Sequence, residues 1–337
     1  MMTRTLASIR AEEQPEKAQA LPGGEEVVLE EDPDKPDAHI SVMVHEVLDA
    51  LALVETDLVV DATAGMGGHS FEMLSAVGGT KVLALDADRN AVAKTTERLK
   101  KFAKRASVVE SNFAEIEHVL RAQGLQEVNK VLFDLGWNST QLRSGRGFSF
   151  KHDEALDMSY GRHPSSGFTA REVLNGWDEK TLADVLYGYG DEQYARRIAK
   201  AIITRRMVKQ IETTIELAEL VADAVPAGYR HGRIHPATKT FQAIRIAVND
   251  ELGVIERGIT AVWKHLAPEG RIAVITFHSV EDRVVKQLFQ KLVKEEGGVL
   301  VYKKPLVPSR AEVIQNPRSR SAKLRVIEKE STTQTNH

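Results

Sequence analysis

Four short runs of β-favouring residues recur through the first 135 residues, and their spacing limits the folds that this chain can adopt. They predict strands over 58–61, 81–86, 107–110 and 130–135, whose ends lie about 25 residues apart. Each gap has room for one helix, which is typical of right-handed β-α-β crossovers around a buried parallel sheet. The spacing therefore predicts an α/β fold with a mostly parallel sheet.

A much longer gap follows the fourth strand. The fifth apolar run begins about 135 residues later, far beyond what one crossover helix needs. Residues 143–235 in this gap show helical periodicity, most clearly over 191–207 and 213–224. We therefore expect a helical insertion, with Thr213 or Thr214 capping the second of these helices.

The last third of the chain is predicted to complete the sheet. Apolar residues at steps of three and four predict one long helix over 236–266, and a fifth strand follows over 271–277. Two further runs, 299–302 and 323–328, predict strands that we expect to pair antiparallel at the sheet edge. The sheet would then have seven strands.

The composition excludes several classes of protein. The 337 residues include no cysteine, which rules out disulfides, thiolate zinc sites, iron–sulfur clusters and cysteine nucleophiles. No apolar run approaches the roughly 18 residues of a membrane span, and the opening MMTRTLASIR leads into acidic residues rather than an apolar core. We therefore expect a cytoplasmic protein with no membrane contact and no secretory or transit peptide.

Charge is distributed unevenly along the chain. Residues 1–37 hold ten acidic residues and four basic ones, so a chain with a formal net charge of −3 has a remainder that carries +3. The start is polar, rich in Glu and Pro, and lacks apolar periodicity. We therefore predict a disordered acidic tail over 1–38, and a disordered C-terminus over 330–337.

A glycine-rich turn follows the first predicted strand and precedes a helix. Gly65, Gly67 and Gly68 allow the backbone to approach a ligand, and the helix points its amides and positive dipole end at that ligand. Asp86 ends the next strand, where a carboxylate commonly accepts hydrogen bonds from the ribose hydroxyls of an adenosine. The pattern indicates an adenosine-containing cofactor, although a structural turn without a ligand would use the same glycines.

Two cofactors share this design. The third glycine of the dinucleotide pattern G-x-G-x-x-G would fall at Ser70, and Asp61 at the strand end would lie poorly against a pyrophosphate. S-adenosylmethionine has no phosphate, and its amino group can use such an acid. The residues therefore favour S-adenosylmethionine over NAD.

Asp134 ends the fourth predicted strand, at the sheet edge where ligands bind in such folds. There its carboxylate could contact the cofactor or the nucleophile, and a helix N-cap is the other interpretation. His278 with Glu281 and Asp282 does not match a zinc spacing, so we assign no metal.

Three basic stretches, 193–209, 233–249 and 303–325, indicate an RNA-binding surface, although one such run alone is usually a solvated helix face. The candidate RNA contacts are Arg196, Arg197, Lys200, Arg205, Arg206, Lys239, Arg245, Arg318, Arg320 and Lys323.

Several stretches carry a family resemblance in the order in which they occur. They include DATAGMGGHS at 61–70, RGFSFKHDEALDM at 146–158, HPATKTFQAIRIAVNDEL at 235–252 and NPRSRSAKLRV at 316–326. On these motifs, which cover the chain from about residue 39 to 328, the sequence resembles the ribosomal RNA small subunit methyltransferase H family, the cytosine-N4 methyltransferases of 16S rRNA. The last three motifs are highly specific.

The resemblance implies a class I S-adenosylmethionine-dependent methyltransferase, with a Rossmann-like seven-stranded sheet and an inserted helical domain. It implies S-adenosylmethionine as donor and, as acceptor, a cytidine near the P site of 16S rRNA in the small ribosomal subunit. The residues that it assigns to the cofactor are Gly67, Gly68, His69, Asp86, Phe113, Asp134 and Gln141. We assign the catalytic role to Asp134, as the acceptor of a hydrogen bond from the target amine.

The chain departs from the family in two places. Ala62-Thr63-Ala64-Gly65 stands where the family usually has Gly-Thr-Phe-Gly, and Trp137-Asn138-Ser139-Thr140 replaces a Val-Ser-Ser-Pro stretch beside the acceptor pocket. Trp137, Phe148 and Phe277 are candidates for the aromatic ring that holds an unstacked target base, with core packing as the other interpretation for each.

We divide the chain into a methyltransferase domain over 39–142 and 236–329 and a helical substrate-recognition domain over 143–235. The residues leave monomer and homodimer open. Competing functions are methylation of a protein or small molecule, a non-catalytic role in ribosome assembly, and an NAD-dependent oxidoreductase.

Overall fold

The central element of the protein is one twisted sheet. The computed structural model describes residues 40–136, 144–160 and 166–331, and within these residues seven strands form a sheet in the order β3-β2-β1-β4-β5-β7-β6. The first five strands are parallel, and β7 runs antiparallel to both β5 and β6. The strands are β1 (Leu58–Asp61), β2 (Lys81–Asp86), β3 (Ala106–Glu110), β4 (Val128–Asp134), β5 (Leu266–Thr276), β6 (Gly298–Leu300) and β7 (Lys323–Lys329). The predicted parallel sheet with an antiparallel edge is confirmed.

Helices cover both faces of the sheet and fill the interval between β4 and β5. None of those in the described part of the chain is long and apolar enough to cross a membrane. They are α1 (Val44–Leu51), α2 (Gly68–Ala76), α3 (Arg89–Leu99), α4 (Ile116–Ala122), α5 (Ala170–Gly176), α6 (Glu179–Gly190), α7 (Ala195–Val208), α8 (Thr214–Ala224), α9 (Ala227–Arg230), α10 (Thr238–Asn249), α11 (Glu251–Lys264), α12 (Ser279–Glu295) and α13 (Arg310–Gln315).

Side-chain caps start several of these helices. The Thr213 hydroxyl accepts a hydrogen bond from the Glu216 amide at the start of α8, and the Asp88 carboxylate accepts one from the Asn90 amide at the start of α3. These bonds satisfy amides that have no partner within a helix. The prediction of a cap at 213 or 214 is therefore confirmed at Thr213.

Apolar side chains form three buried clusters. One packs α4, α11 and α12 on one face of the sheet, and another packs α1, α2 and α3 on the opposite face. The third lies entirely in residues between β4 and α11 and joins helices α5, α6, α7, α8 and α10. Whether this helical group is a separate domain for substrate recognition stays a prediction, as does the division at 143–235.

The prediction of one long helix over 236–266 is wrong, because the helix is interrupted at Asp250. Asp250 adopts a left-handed conformation with φ of 49° and separates α10 from α11. Phe241 and Ile244 of α10 belong to the helical cluster, whereas Ile255 and Ile259 of α11 pack on the sheet. The chain therefore begins to pack on the sheet after Asp250, and not near residue 236 as predicted.

Candidate functional site

The glycine loop lies between the carboxyl end of β1 and the start of α2. Gly65 and Gly67 have φ of 54° and 73°, a region that favours glycine. The Thr95 hydroxyl of α3 donates to the Gly65 carbonyl at 2.8 Å, and a Cβ on Gly67 would lie 3.0 Å from Thr95. The loop is therefore held from α3 in a conformation that a side chain at 67 would disturb.

The first described residues of the chain lie against this loop. A Cβ on Gly68 would collide with Ser41 Oγ, so a side chain at 68 would displace the Ser41 hydroxyl. Asn316 donates from Nδ2 to the Ile40 carbonyl at 3.1 Å. The Met43 amide donates to Glu312 Oε1 at 2.6 Å. No sequence pattern linked residues 40–43 to the loop, because these contacts join positions far apart in the chain.

Asp86 at the end of β2 is tied to the same loop. Its two carboxylate oxygens accept from the amides of Gly65 and Asp88, each at 2.8 Å. Burial raises the pKa of Asp86 to about 6, against the lowering effect of these two bonds. A carboxylate has about four acceptor sites, so it retains capacity for two hydroxyl donors.

Two buried residues, Asp61 and His69, meet the half-buried Asp134 where β1, α2 and β4 converge. Asp61 accepts from Ser70 Oγ at 2.6 Å, and His69 Nε2 lies 3.5 Å from Asp134 Oδ2. Burial raises the pKa of Asp61. Burial alone lowers the pKa of His69, but Asp134 and the charge of Asp61 outweigh it and hold that pKa above its ordinary value.

The same cluster contains buried polar atoms that form no hydrogen bond within the described residues. Within the described residues, Asp61 Oδ1, His69 Nε2 and Asp134 Oδ1 have no hydrogen-bond partner. Buried polar atoms without partners are rare and usually mark a ligand or water position. The free Asp61 oxygen suits an ammonium group, and the start of helix α2 directly after the loop suits a carboxylate. The residues present therefore fit the amino-acid end of S-adenosylmethionine, with Asp86 placed for its ribose.

Thr63, in the loop, fixes the main chain of Asp134. Its hydroxyl accepts from the Asp134 amide at 2.6 Å, which joins the end of β4 to the loop after β1. No role was predicted for Thr63 from the sequence. The contact crosses 71 residues, and no local pattern could have indicated it.

Phe113 begins a short 3₁₀ helix after β3. Its ring makes an edge contact with Phe133 at a centroid distance of 5.4 Å, and a Cβ on Gly258 would lie 2.7 Å from it. The ring is half-buried. It packs on the core with part of its surface open, and an adenine contact stays a prediction.

The aromatic candidates differ in their surroundings. The Phe277 ring lies against Gly136, where a Cβ would come within 2.8 Å of it, beside the end of β4. Phe148 is buried in the helical cluster and stacks on Tyr160 at 5.5 Å, which favours core packing. Trp137 and Gln141 lie outside the described residues.

A charge-balanced network lies next to Phe277, where α10, α11 and α12 meet. Glu251 binds Arg245 through both oxygens and accepts from the Tyr160 hydroxyl at 2.8 Å. His278 Nε2 lies 2.9 Å from Glu281, whose charge raises the pKa of His278 against the effect of burial. Carboxylate and imidazole atoms of Glu251, His278 and Glu281 lie within 4.8 Å of one another, although each of these acids already faces a basic group. Asp282 faces Arg325 instead.

Arg245 is therefore not a surface residue. Its side chain is 8% exposed and binds Glu251 through two nitrogens, so the prediction that it contacts RNA does not fit the structure. Asn249 donates to the Met158 carbonyl at 2.7 Å and holds the main chain.

The other predicted RNA contacts divide into exposed and engaged residues. Arg196, Arg197 and Lys200 on α7 and Arg320 near β7 are exposed. The remaining basic residues have local contacts, namely Arg205 with Glu216 at 3.7 Å, Arg206 with the carbonyls of Leu174 and Trp177, Lys239 with the Asp191 carbonyl, and Lys323 with Asp282. Arg318 is half-buried.

The strand order and the loop site define a class I, Rossmann-like methyltransferase fold, in which the ligand crevice lies at the carboxyl ends of the parallel strands. The chain belongs to the MraW methylase family, whose model matches residues 37–330.

Two relatives that are more than 40% identical agree with this assignment. A "Ribosomal RNA small subunit methyltransferase H" from Sulfurihydrogenibium sp. is 44% identical over 86% of this chain and 98% of its own length. One of the same name from Paenibacillus sp. is 43% identical over 86% and 99%. Among solved structures, an rRNA methylase from Streptococcus thermophilus is 14% identical, with a TM-score of 0.39, and covers 87% of this chain and 100% of that one.

Proposed function

We propose that this protein transfers a methyl group from S-adenosylmethionine to the exocyclic N4 of a cytidine near the P site of 16S rRNA in the small ribosomal subunit. Family membership and the names of relatives that are 44% and 43% identical support the reaction class and the RNA. An acceptor of this kind would place the enzyme in the cytoplasm.

The observation that carries the proposal is the position of the Asp134 carboxylate. It ends β4 at the crevice, its main chain is fixed by Thr63, and its Oδ1 is buried without a partner in the described residues. An acceptor held so firmly in the crevice suits a substrate N–H group. His69 Nε2 lies 3.5 Å from the other oxygen, where a protonated imidazole would attract the carboxylate.

The chemistry of the acceptor explains why such a group is needed. The amino nitrogen of cytosine is a poor nucleophile, because its lone pair is delocalised into the ring. A hydrogen bond from one N–H to Asp134 would orient the amine and favour a more pyramidal nitrogen. When bound, S-adenosylmethionine supplies an activated methyl group. The amine then loses a proton to Asp134 or to water.

The remaining residues would hold the two substrates. We propose that Asp86 binds the ribose, that Asp61 and the loop at Gly67 and Gly68 bind the amino-acid end, and that Phe113 and Gln141 complete the cofactor site. Arg196, Arg197, Lys200 and Arg320 are proposed for the RNA backbone, since phosphate contacts come mainly from exposed basic residues.

The proposal is tested with Asp134→Asn on isolated small subunits. We expect turnover to fall about a hundredfold or more, with the Kd for S-adenosylmethionine nearly unchanged, because the variant loses orientation of the amine and keeps the shape of the site. Mass mapping of the RNA should find N4-methylcytidine in the wild-type reaction. Equal losses of turnover and affinity would reduce Asp134 to a binding residue.

Two other functions have distinct outcomes. Methylation of a peptide in preference to small subunits would indicate a different acceptor. Absence of heat on titration with S-adenosylmethionine would indicate a non-catalytic assembly role.

A further inference from the structure

An open groove runs between α7 and α8 on the helical group. It has a volume of about 580 Å³. We call its half-buried apolar residues, Ala201, Leu220 and Ala224, the base, and its exposed basic residues, Arg197 and Lys200, the rim. The residues that line it are Arg197, Lys200, Ala201, Thr204, Arg205, Val208, Leu220 and Ala224. Within the described residues, neither Arg197 nor Lys200 forms an ion pair.

Apolar side chains are unusually exposed at this groove. Val208, which lines it, is 86% exposed, and the adjacent Met207 is 80% exposed. Large apolar groups exposed together usually mark an interaction surface. An RNA backbone would use the basic rim but would gain little from the aliphatic base, because phosphate contacts are electrostatic. The groove better fits a peptide with aliphatic residues at its centre and acids on both sides.

The chain itself contains such a peptide. Residues 25–31 read EEVVLEE, with Val27, Val28 and Leu29 between two pairs of glutamates. They lie outside the described residues and outside the part that matches the family, which begins at 37. The relative from Sulfurihydrogenibium sp. is covered over 98% of its length by only 86% of this chain, so the acidic leader is additional to what the relatives share.

We propose that residues 25–31 bind the α7–α8 groove of their own chain, with the aliphatic residues on the base and the glutamates at Arg197 and Lys200. The eleven residues from Leu29 to Ile40 can span at most about 40 Å. Where a tether of this length reaches the groove, it gives an effective concentration in the millimolar range, so a weak contact is sufficient. The bound leader covers basic residues that are proposed for RNA, and RNA therefore competes with it. Binding of residues 25–31 to the groove does not depend on the proposed function, whereas their competition with RNA rests on it.

The absence of cysteine allows a direct test. Val28→Cys with Thr204→Cys in the full chain places one thiol in the leader and one in the groove. Under mild oxidation we expect an intrachain disulfide to form about tenfold faster than in the control pair Val28→Cys with Lys291→Cys, which lies on the exposed face of α12. Adding Val27→Ser and Leu29→Ser should slow the reaction without a change of charge. Equal rates for the two pairs, or a disulfide between chains, would overturn the proposal.

A second measurement separates docking from general repulsion between acids and RNA. Changing Glu25, Glu26, Glu30 and Glu31 to Gln should raise RNA affinity several-fold more than the matched change of Glu12, Glu13 and Glu16 to Gln with Asp37→Asn, which removes the same charge elsewhere. An equal rise of RNA affinity in the two variants would mean that the acids act only by repulsion. That result would contradict docking, whether or not the RNA is methylated.

Discussion

Arg245 and Glu251 form a buried two-point ion pair across the break between α10 and α11, with Nε–Oε1 and Nη2–Oε2 distances of 2.8 and 3.0 Å. Residues six apart on a straight helix lie about 240° apart around the axis, so one continuous helix could not form this pair. The left-handed Asp250 turns the chain and brings the two side chains together. The pair therefore links the helical group to the helix that covers the sheet.

Removing one partner of this pair should be costly. Glu251→Gln leaves a buried guanidinium without its counter-charge, and we expect the free energy of unfolding to fall by about 3–5 kcal/mol in a urea titration. Arg257→Met is the matched control, because it breaks the exposed pair with Asp250 at the same helix junction and should cost only about 0–1 kcal/mol. Similar losses in both variants would show that burial does not distinguish the pairs.

Gly68→Ala should weaken cofactor binding through Ser41. The new Cβ would collide with Ser41 Oγ and displace the Ser41 side chain from the loop. We expect calorimetry to show a loss of affinity for S-adenosylmethionine of about tenfold. Gly78→Ala is the control, since nothing lies within 4 Å of its Cβ position. Adding Ser41→Gly to the Gly68→Ala variant should restore most of the affinity; no recovery would mean that the methyl group obstructs the ligand directly.

Affinity for S-adenosylmethionine should depend on pH through Asp86. Its pKa of about 6 means that the carboxyl is protonated below that pH, so it accepts fewer hydrogen bonds and binding weakens as the pH falls from 7 to 5. The nearby charge of Asp88 contributes to the raised value, so Asp88→Asn should move the midpoint to lower pH. A midpoint that stays in place in this variant, or a flat profile in the wild type, would contradict the assignment.

Reversing charge at Arg196 and Arg197 should weaken RNA binding. If each contacts one phosphate, changing both to Glu should lower the slope of log affinity against log salt by about 1.4–1.8. Lys291→Glu with Lys294→Glu makes the same change in net charge on the exposed part of α12 and should leave the slope nearly unchanged. Equal slopes in the wild type and the arginine variant would show that this face is only solvated.

The repeating strands were predictable because a buried parallel strand has a local signature of β-favouring residues bounded by polar ones. Asp61 and Asp86 could be placed at strand ends for the same reason. Apolar spacing, by contrast, reports which residues are buried and not which core they enter. Apolar residues recur every three or four positions on both sides of Asp250. The positive φ of this single residue does not change that spacing, so the sequence pattern could not reveal it.

The engaged basic residues were hidden for a related reason. A run of Arg and Lys near residues 196–209 has the same composition whether its members face solvent or bind carbonyls, as Arg206 does at the end of α5. The contacts of Ser41, Thr63 and Glu312 around the crevice likewise depend on tertiary structure, since each joins segments that are distant in sequence.

The two ends of the family region lie at opposite ends of the parallel strands. Ile40 lies beside the glycine loop at the carboxyl ends of the strands, where Asn316 binds its carbonyl. Because β7 is antiparallel to β5, Lys329 lies near the amino end of β5. A fluorescent protein or affinity tag fused in front of Ile40 would therefore stand over the crevice mouth, but one fused behind Lys329 would leave that mouth open. For immobilisation, the enzyme is best attached to a support through its C-terminal end.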